Sequence, residues 1–141
     1  MNFTQATHCR LDEVLIMFGF LTLKYQELLA ASSGGDKIMI SAIVDSLEKR
    51  WDKSDQEVFV AAVILNPMYK TRPFAQIRKF THASIYLLLV KLWKRFYPDT
   101  QLPIKLQEEM MAYLRGVGDY ESMDTWVQAT IQTATTNVSI I

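Results

Sequence analysis

The sequence has few of the residues from which covalent frameworks and metal sites are built. It contains one cysteine, Cys9, and two histidines among 141 residues. A single cysteine cannot form an internal disulfide, which argues against the framework of a small secreted protein and favours a reducing compartment. His8 and His82 lie far apart, and neither has a second histidine or cysteine at the spacing of a zinc site. We therefore expect no metal, no cofactor, and a nuclear or cytoplasmic location.

Long hydrophobic runs and an excess of one charge are also missing. The apolar run from Val14 to Leu23 is too short to cross a bilayer, and no basic segment precedes it at Met1, so we predict no membrane association and no signal peptide. Lysine plus arginine number 15, as do aspartate plus glutamate, and the net charge is zero. The overall positive charge that gives non-specific affinity for nucleic acid is absent, so any DNA contact has to come from a local patch.

Helical periodicity dominates what the sequence does contain. Half of the residues are apolar and 21% are charged, as in ordinary soluble globular proteins, and the length suffices for one domain. We predict an all-α fold of about five helices in a single irregular bundle over residues 1–124, with residues 125–141 as a poorly ordered, threonine-rich tail. The predicted helices cover residues 11–29, 36–51, 56–65, 75–96 with a break near Thr81, and 106–114.

The third of these segments could also be a buried strand, because its body is rich in β-branched residues. Ser54 and Glu57 match a capping box, in which each side chain binds a backbone amide at the start of a helix. Pro67 pushes Asn66 out of the helical conformation and ends the segment. Both signals favour a helix. For the preceding helix, Asp36 is the predicted N-cap residue.

Acidic residues offer no convincing catalytic set. Metal-assisted phosphoryl transfer needs two or three acids that converge on divalent ions. The acids of this chain stand among lysines or at i+3 and i+4 spacing on polar helix faces, where solvated surface pairs are the usual arrangement. No nucleophile elbow and no GK[ST] phosphate loop occurs. We therefore predict no catalytic residue and no enzymatic activity.

A basic ridge is predicted on the fourth helix from Lys91, Lys94 and Arg95, with Arg78 and Lys79 upstream. The aromatic residues Trp93, Phe96 and Tyr97 alternate with these cations. Cations beside aromatic rings are a common means of holding single-stranded nucleic acid. The alternative is that Trp93 and Phe96 belong to the core and the cations form the solvated face of the same helix. With no net charge on the chain, the sequence favours this second interpretation.

Residues 47–70 resemble a block of the hAT-superfamily DNA transposases of higher fungi. In that family a Lys-Arg-Trp segment precedes an alanine-centred helix that ends in Leu-Asn-Pro or Leu-Asp-Pro, followed by an aromatic and a basic residue. The likeness extends over residues 38–118 and joins several short motifs in order. The matching positions are Lys49-Arg50-Trp51, Ala61-Ala62, Leu65-Asn66-Pro67, Tyr69-Lys70, Leu92-Trp93-Lys94-Arg95-Phe96-Tyr97-Pro98 and Tyr113-Leu114.

This resemblance implies a place in the helical region that interrupts an RNase H-like catalytic core, ahead of a dimerisation segment. The family's catalytic acids and its zinc-binding finger have no counterpart in this chain, so no catalytic residue is carried over. We expect a truncated or remnant transposase whose ancestral role in DNA transposition rests on packing, DNA contacts or subunit contacts. The partners that this implies are DNA or the rest of a transposase core.

The alternative function is a stand-alone helical module that binds another protein, or a second copy of itself, through an exposed apolar face. If the chain is instead a transposase fragment, we expect an exposed apolar patch where the RNase H core would pack, bordered by Trp51, Tyr69, Phe74 and Trp93. For each candidate interaction residue, core packing or solvation is the competing interpretation. The candidate interaction residues are Arg50, Trp51, Tyr69, Lys70, Lys94 and Arg95.

Overall fold

Helices make up the regular structure of the described part of the chain. The computed structural model describes the backbone of residues 9–138 and the side chains of residues 9–134. No strand occurs within those residues, and the predicted all-α class is confirmed. Two short 3-10 turns lie at Arg72–Phe74 and Gly118–Tyr120. The α-helices are α1 (Leu11–Ala31), α2 (Gly34–Asp52), α3 (Gln56–Leu65), α4 (His82–Phe96), α5 (Leu106–Arg115) and α6 (Glu121–Val138).

The helices divide into two compact units, of which the first ends at Val63 and the second begins at Ile64. Periodicity did not reveal this division, because it identifies the apolar face of a helix but not the helix that this face meets. Each unit has buried apolar side chains of its own. They are Val44, Ala61 and Val63 in the first unit, and Ile64, Ile85, Leu92, Met110 and Val127 in the second.

In the first unit, α1 and α2 pack against each other as a helical hairpin. The backbone amide and the hydroxyl of Ser32 both donate to the carbonyl of Leu29, at 3.4 and 3.1 Å, and end α1. Gly34 takes a left-handed φ of 62° and begins α2. The helix thus starts two residues before the predicted cap Asp36, which lies in its first turn. At that position its negative charge still interacts favourably with the positive N-terminal end of the helix dipole.

Three aromatic side chains hold the helices of the first unit together. The ring of Trp51, at the end of α2, lies 5.7 Å from that of Phe18 in α1 and 6.4 Å from that of Phe59 in α3. The Ser54 hydroxyl donates to the Trp51 carbonyl at 2.7 Å, at the end of α2. The predicted third helix is confirmed, because α3 spans Gln56–Leu65.

In the second unit, α4 begins at His82 rather than at residue 75. The Thr81 hydroxyl accepts the backbone N–H of Ser84 at 3.2 Å, and the Ser84 hydroxyl accepts the backbone N–H of Thr81 at 2.9 Å. This reciprocal pair satisfies two amides at the start of the helix. The predicted break near Thr81 is therefore the true beginning of the helix.

The last helix, α6, extends through residues 125–138 of the segment predicted as a tail, while residues 139–141 lie outside the described part. The threonine-rich composition concealed it. The hydroxyls of Thr125, Thr130 and Thr133 each donate at 2.9 Å to the carbonyl four residues earlier. Such bonds satisfy threonine within a helix. Val127 is wholly buried and anchors the helix to the second unit.

Candidate nucleic-acid interface

A long stretch of the chain carries positive charge without any negative charge. Residues 58–98 contain seven lysines and arginines and no aspartate or glutamate, although the whole chain is neutral. The net charge of the whole chain does not show this segment, because the acidic regions on either side cancel its positive charge. Charge counted over a moving window would have revealed it from the sequence. The seven cations are Lys70, Arg72, Arg78, Lys79, Lys91, Lys94 and Arg95.

The predicted basic ridge lies on the solvent side of α4. Lys91, Lys94 and Arg95 are all exposed, while Ile85 and Leu92, on the opposite face of the helix, are buried. This is the amphipathic arrangement that places charged side chains in water. We define the basic ridge as these three cations. The geometry fits both the solvated-face interpretation and a surface that meets phosphate groups.

The aromatic residues around the ridge have separate roles. Trp93 is half-buried and its ring lies 4.7 Å from that of Tyr97. Its indole Nε1 is buried and, among the described residues, has no hydrogen-bond acceptor. Phe96 is exposed, and the Arg95 guanidinium lies 5.8 Å from its ring centroid. Trp93 therefore belongs to the packing of the unit, whereas Phe96 and Tyr97 remain on the surface beside the cations.

Lys70 does not take the surface position that an interaction residue requires. It is 7% exposed, and its Nζ lies 2.6 Å from Oδ1 of Asp124. The same ammonium group is 5.2 Å from the ring centroid of Tyr113. Its backbone has a φ of 48°, in the left-handed region that side chains other than glycine rarely adopt. Lys70 thus connects the turn after α3 to α5 and α6 inside the second unit.

Tyr113 completes this buried cluster. Its hydroxyl donates to the carbonyl of Ile64 at 3.0 Å. Burial, together with the negative charges of Tyr120 and Asp124, raises the pKa of Tyr113 to about 12. The phenol therefore keeps its proton, and with it this hydrogen bond, to a higher pH than an ordinary tyrosine does.

The remaining candidates, Arg50, Trp51 and Tyr69, lie outside the ridge. Arg50 is exposed on the last turn of α2, beside the half-buried Trp51. The indentation there measures about 60 Å³, which is far smaller than the few hundred Å³ of a typical ligand pocket. Tyr69 is half-buried, and its carbonyl accepts the backbone N–H of Arg72 at 3.0 Å. Of the six predicted interaction residues, Lys94 and Arg95 are the pair that the fold places on one exposed basic surface.

The described residues contain no group of three histidine, cysteine, aspartate or glutamate side chains that could hold a metal ion. Cys9 is exposed, and His8 lies outside the described part.

The first helix as a whole is more apolar than its run from Val14 to Leu23 indicates. α1 has 21 residues and a mean hydropathy of 1.4, which by length and composition would let it cross a membrane. Core helices of soluble proteins and signal sequences share this property. In α1, Lys24 and Glu27 form an exposed ion pair at 2.9 Å. The absence of a membrane partner remains a prediction.

Comparison with protein-family models, with curated proteins and with solved structures gave no match to the chain.

Proposed function

We propose that the chain is a non-catalytic helical module of the hAT-transposase type that contacts nucleic acid through the basic ridge on α4. The observation that carries the proposal is the acid-free segment of residues 58–98 with its seven cations. Phosphate contacts supply most of the non-specific affinity for nucleic acid, and acidic side chains nearby oppose it. A location in the nucleus or cytoplasm follows from the same proposal.

The ridge has the composition that such a contact requires. Lys91, Lys94 and Arg95 provide three cationic groups on consecutive turns of one helix, and Phe96 and Tyr97 lie exposed beside them. Aromatic faces next to cations add base stacking to phosphate contacts. The likeness of residues 92–98 to the transposase motif supports the same proposal.

Salt-dependent binding of duplex DNA tests this function. Three phosphate contacts predict a slope of about −3 for the logarithm of the association constant against the logarithm of salt concentration. Between about 50 and about 200 mM salt, affinity should therefore fall roughly 40-fold. Fluorescence anisotropy of a labelled duplex measures this change directly.

Two triple variants decide whether the ridge is responsible. Replacing Lys91, Lys94 and Arg95 by glutamine should remove most of the binding and flatten the salt slope. The matched control removes three positive charges from exposed positions of the first unit, through Lys37→Gln, Lys49→Gln and Lys53→Gln. Equal losses in the two variants, or no binding by the natural sequence, would contradict the proposal.

A protein partner is the second candidate function, because α1 and α2 leave many large apolar side chains in solvent. Exposed apolar patches on a monomer commonly mark protein-binding sites. A helix pair of this kind could bury them against the rest of a transposase core or a second copy of the chain. The exposed large apolar residues of the two helices are Leu11, Met17, Phe20, Leu21, Leu23, Leu28, Ile38 and Met39.

A further inference from the structure

A cavity of about 380 Å³ lies between the 3-10 turn at Arg72–Phe74 and the start of α4. Its volume falls in the range of small-ligand sites in proteins. It belongs entirely to the second unit and lies within the acid-free segment, ahead of the basic ridge in the chain. Its lining residues are Thr71, Arg72, Phe74, Ala75, Phe80, Thr81, His82 and Ile85.

Arg72 gives the cavity a cation without a neutralising acid. Its Nε and Nη2 donate to the carbonyls of Tyr69 and Pro67, both at 3.4 Å. These are long bonds, and a guanidinium has five N–H donors, so most of its donor capacity remains. No carboxylate of the described residues lies within ion-pair distance of Arg72. Such a guanidinium suits the bidentate binding of a phosphate.

Two aromatic rings supply the apolar wall of the same cavity. Phe74 and Phe80 are stacked, with ring centroids 4.5 Å apart and an interplanar angle of 16°. Both rings line the cavity. A planar base can pack on such rings whatever its sequence identity, because every base has a π-face. Thr71 and the imidazole of His82 add polar groups that can hydrogen-bond to a base edge or a sugar.

We propose that this cavity binds one unstacked nucleotide, with its base against Phe74 and Phe80 and its phosphate on Arg72. This inference deepens the proposed function, on which it rests, and assigns to the second unit a preference for single strands over duplexes. In a duplex each base is stacked between its neighbours and cannot enter the cavity without unpairing. The nucleotide can come from a single strand or from a free mononucleotide, and the chemistry recognised is the same.

Anisotropy with a labelled oligothymidylate and a duplex of equal length tests the cavity. Ala75→Leu places a larger side chain in the cavity at an exposed lining position, and Phe80→Leu removes an aromatic ring on which the base would stack. Each should weaken oligothymidylate binding roughly tenfold and leave duplex binding within about twofold. Arg72→Gln should weaken it and lower the salt slope by about one. The matched control is Gln76→Leu, because Gln76 is exposed next to Ala75 and does not line the cavity.

The outcomes separate the cavity from the ridge. If Ala75→Leu and Gln76→Leu bind oligothymidylate equally, the cavity proposal is overturned while the ridge proposal stands. If the natural sequence binds no duplex but still binds oligothymidylate in a manner sensitive to Ala75→Leu, the ridge proposal fails and the cavity proposal stands.

Two further measurements complete the test. Circular dichroism shows whether Phe80→Leu still folds. If Phe80→Leu is unfolded, the test of the cavity rests on Ala75→Leu, whose substituted residue is exposed. Calorimetric titration with thymidine monophosphate identifies the source of the nucleotide. Saturable binding that Ala75→Leu removes indicates that a free nucleotide suffices, whereas binding of oligothymidylate alone assigns the cavity to single strands. Loss of neither ligand in Ala75→Leu overturns the proposal.

Discussion

Gly116 ends α5 with its backbone in the left-handed region, at a φ of 65°. A Cβ at this position would lie 2.6 Å from Cγ of Asp124, the partner of Lys70. Gly116→Ala should therefore cost about 3 kcal/mol, from left-handed strain of about 1 kcal/mol and displacement of Asp124 from its ion pair with Lys70. Gly118→Ala is the matched control, because Gly118 has a φ of 62° and open space around it.

Denaturant unfolding of the two glycine variants measures the difference. Gly118→Ala should lose only the strain of about 1 kcal/mol. Equal losses in the two variants would show that Asp124 moves away without cost, and that the Lys70 ion pair contributes little to stability.

Tyr113 should make the second unit less stable at alkaline pH. Its pKa is raised from 10.0 to about 12, chiefly by burial, so the unfolded chain loses the phenol proton first. The stabilising contribution is fully present below pH 10 and is lost as pH rises through about 12. In unfolding experiments across this range, Tyr113→Phe should have a smaller decline in stability than the natural sequence.

A second phenol controls for this result. Tyr86→Phe also removes a tyrosine from the second unit but keeps Tyr113, and should keep the alkaline decline. Tyr113→Phe also loses the 3.0 Å bond to the Ile64 carbonyl, so it should be less stable than the natural sequence at neutral pH by about 1 kcal/mol. An unchanged alkaline decline in Tyr113→Phe would show that Tyr113 is not its cause.

At the scale of the element, the start of α4 depends on its capping box. Thr81→Ala removes the acceptor of the Ser84 amide, and loss of such a cap typically costs about 1 kcal/mol. The control is Thr100→Ala, an exposed threonine in the turn after the same helix. Denaturant unfolding should show a loss in the first variant and almost none in the second. Equal stabilities would mean that packing alone sets where α4 begins.

At the scale of the whole molecule, apolar exposure predicts association with another surface. Phe20 and Leu23 of α1 are 54% and 62% exposed. We expect the purified chain to bind a hydrophobic dye and to self-associate in sedimentation experiments, because burial of such side chains is favourable. The double variant Phe20→Gln, Leu23→Gln should reduce both, whereas Gln26→Ser on the same helix should not.

Two results would contradict this expectation. A monodisperse monomer that does not bind the dye would mean that the exposed side chains do not form a binding surface. Stable flotation with zwitterionic lipid vesicles would assign α1 to a membrane instead. The aromatic residues predicted to border the patch, Trp51, Tyr69, Phe74 and Trp93, are half-buried. The exposed apolar side chains of α1 and α2 are aliphatic or methionine apart from Phe20, and sequence periodicity did not distinguish them from core residues.

The sequence by itself determined the helices and part of the candidate site. Three- and four-residue spacing identified α1, α2 and α5 to within a few residues, because the apolar side chains that a helix buries must share one face. The helix α3 was predicted from the Ser54 and Glu57 signature and from the stop at Pro67. The spacing rule also placed Lys94 and Arg95 on a solvated face of α4. The acid-free segment of residues 58–98 is also a property of the sequence alone.

Tertiary structure decided what spacing cannot encode. Lys70 and Asp124 are 54 residues apart and meet at 2.6 Å in a partly buried ion pair, so local sequence gave no sign that Lys70 is buried. α6 is anchored by Val127, whose burial outweighs the low helix propensity of the threonines around it. The division into two units and the cavity beside Arg72 depend likewise on which helices meet. Periodicity identifies the side chains that a helix must bury, but the helix against which they pack is determined only in the folded chain.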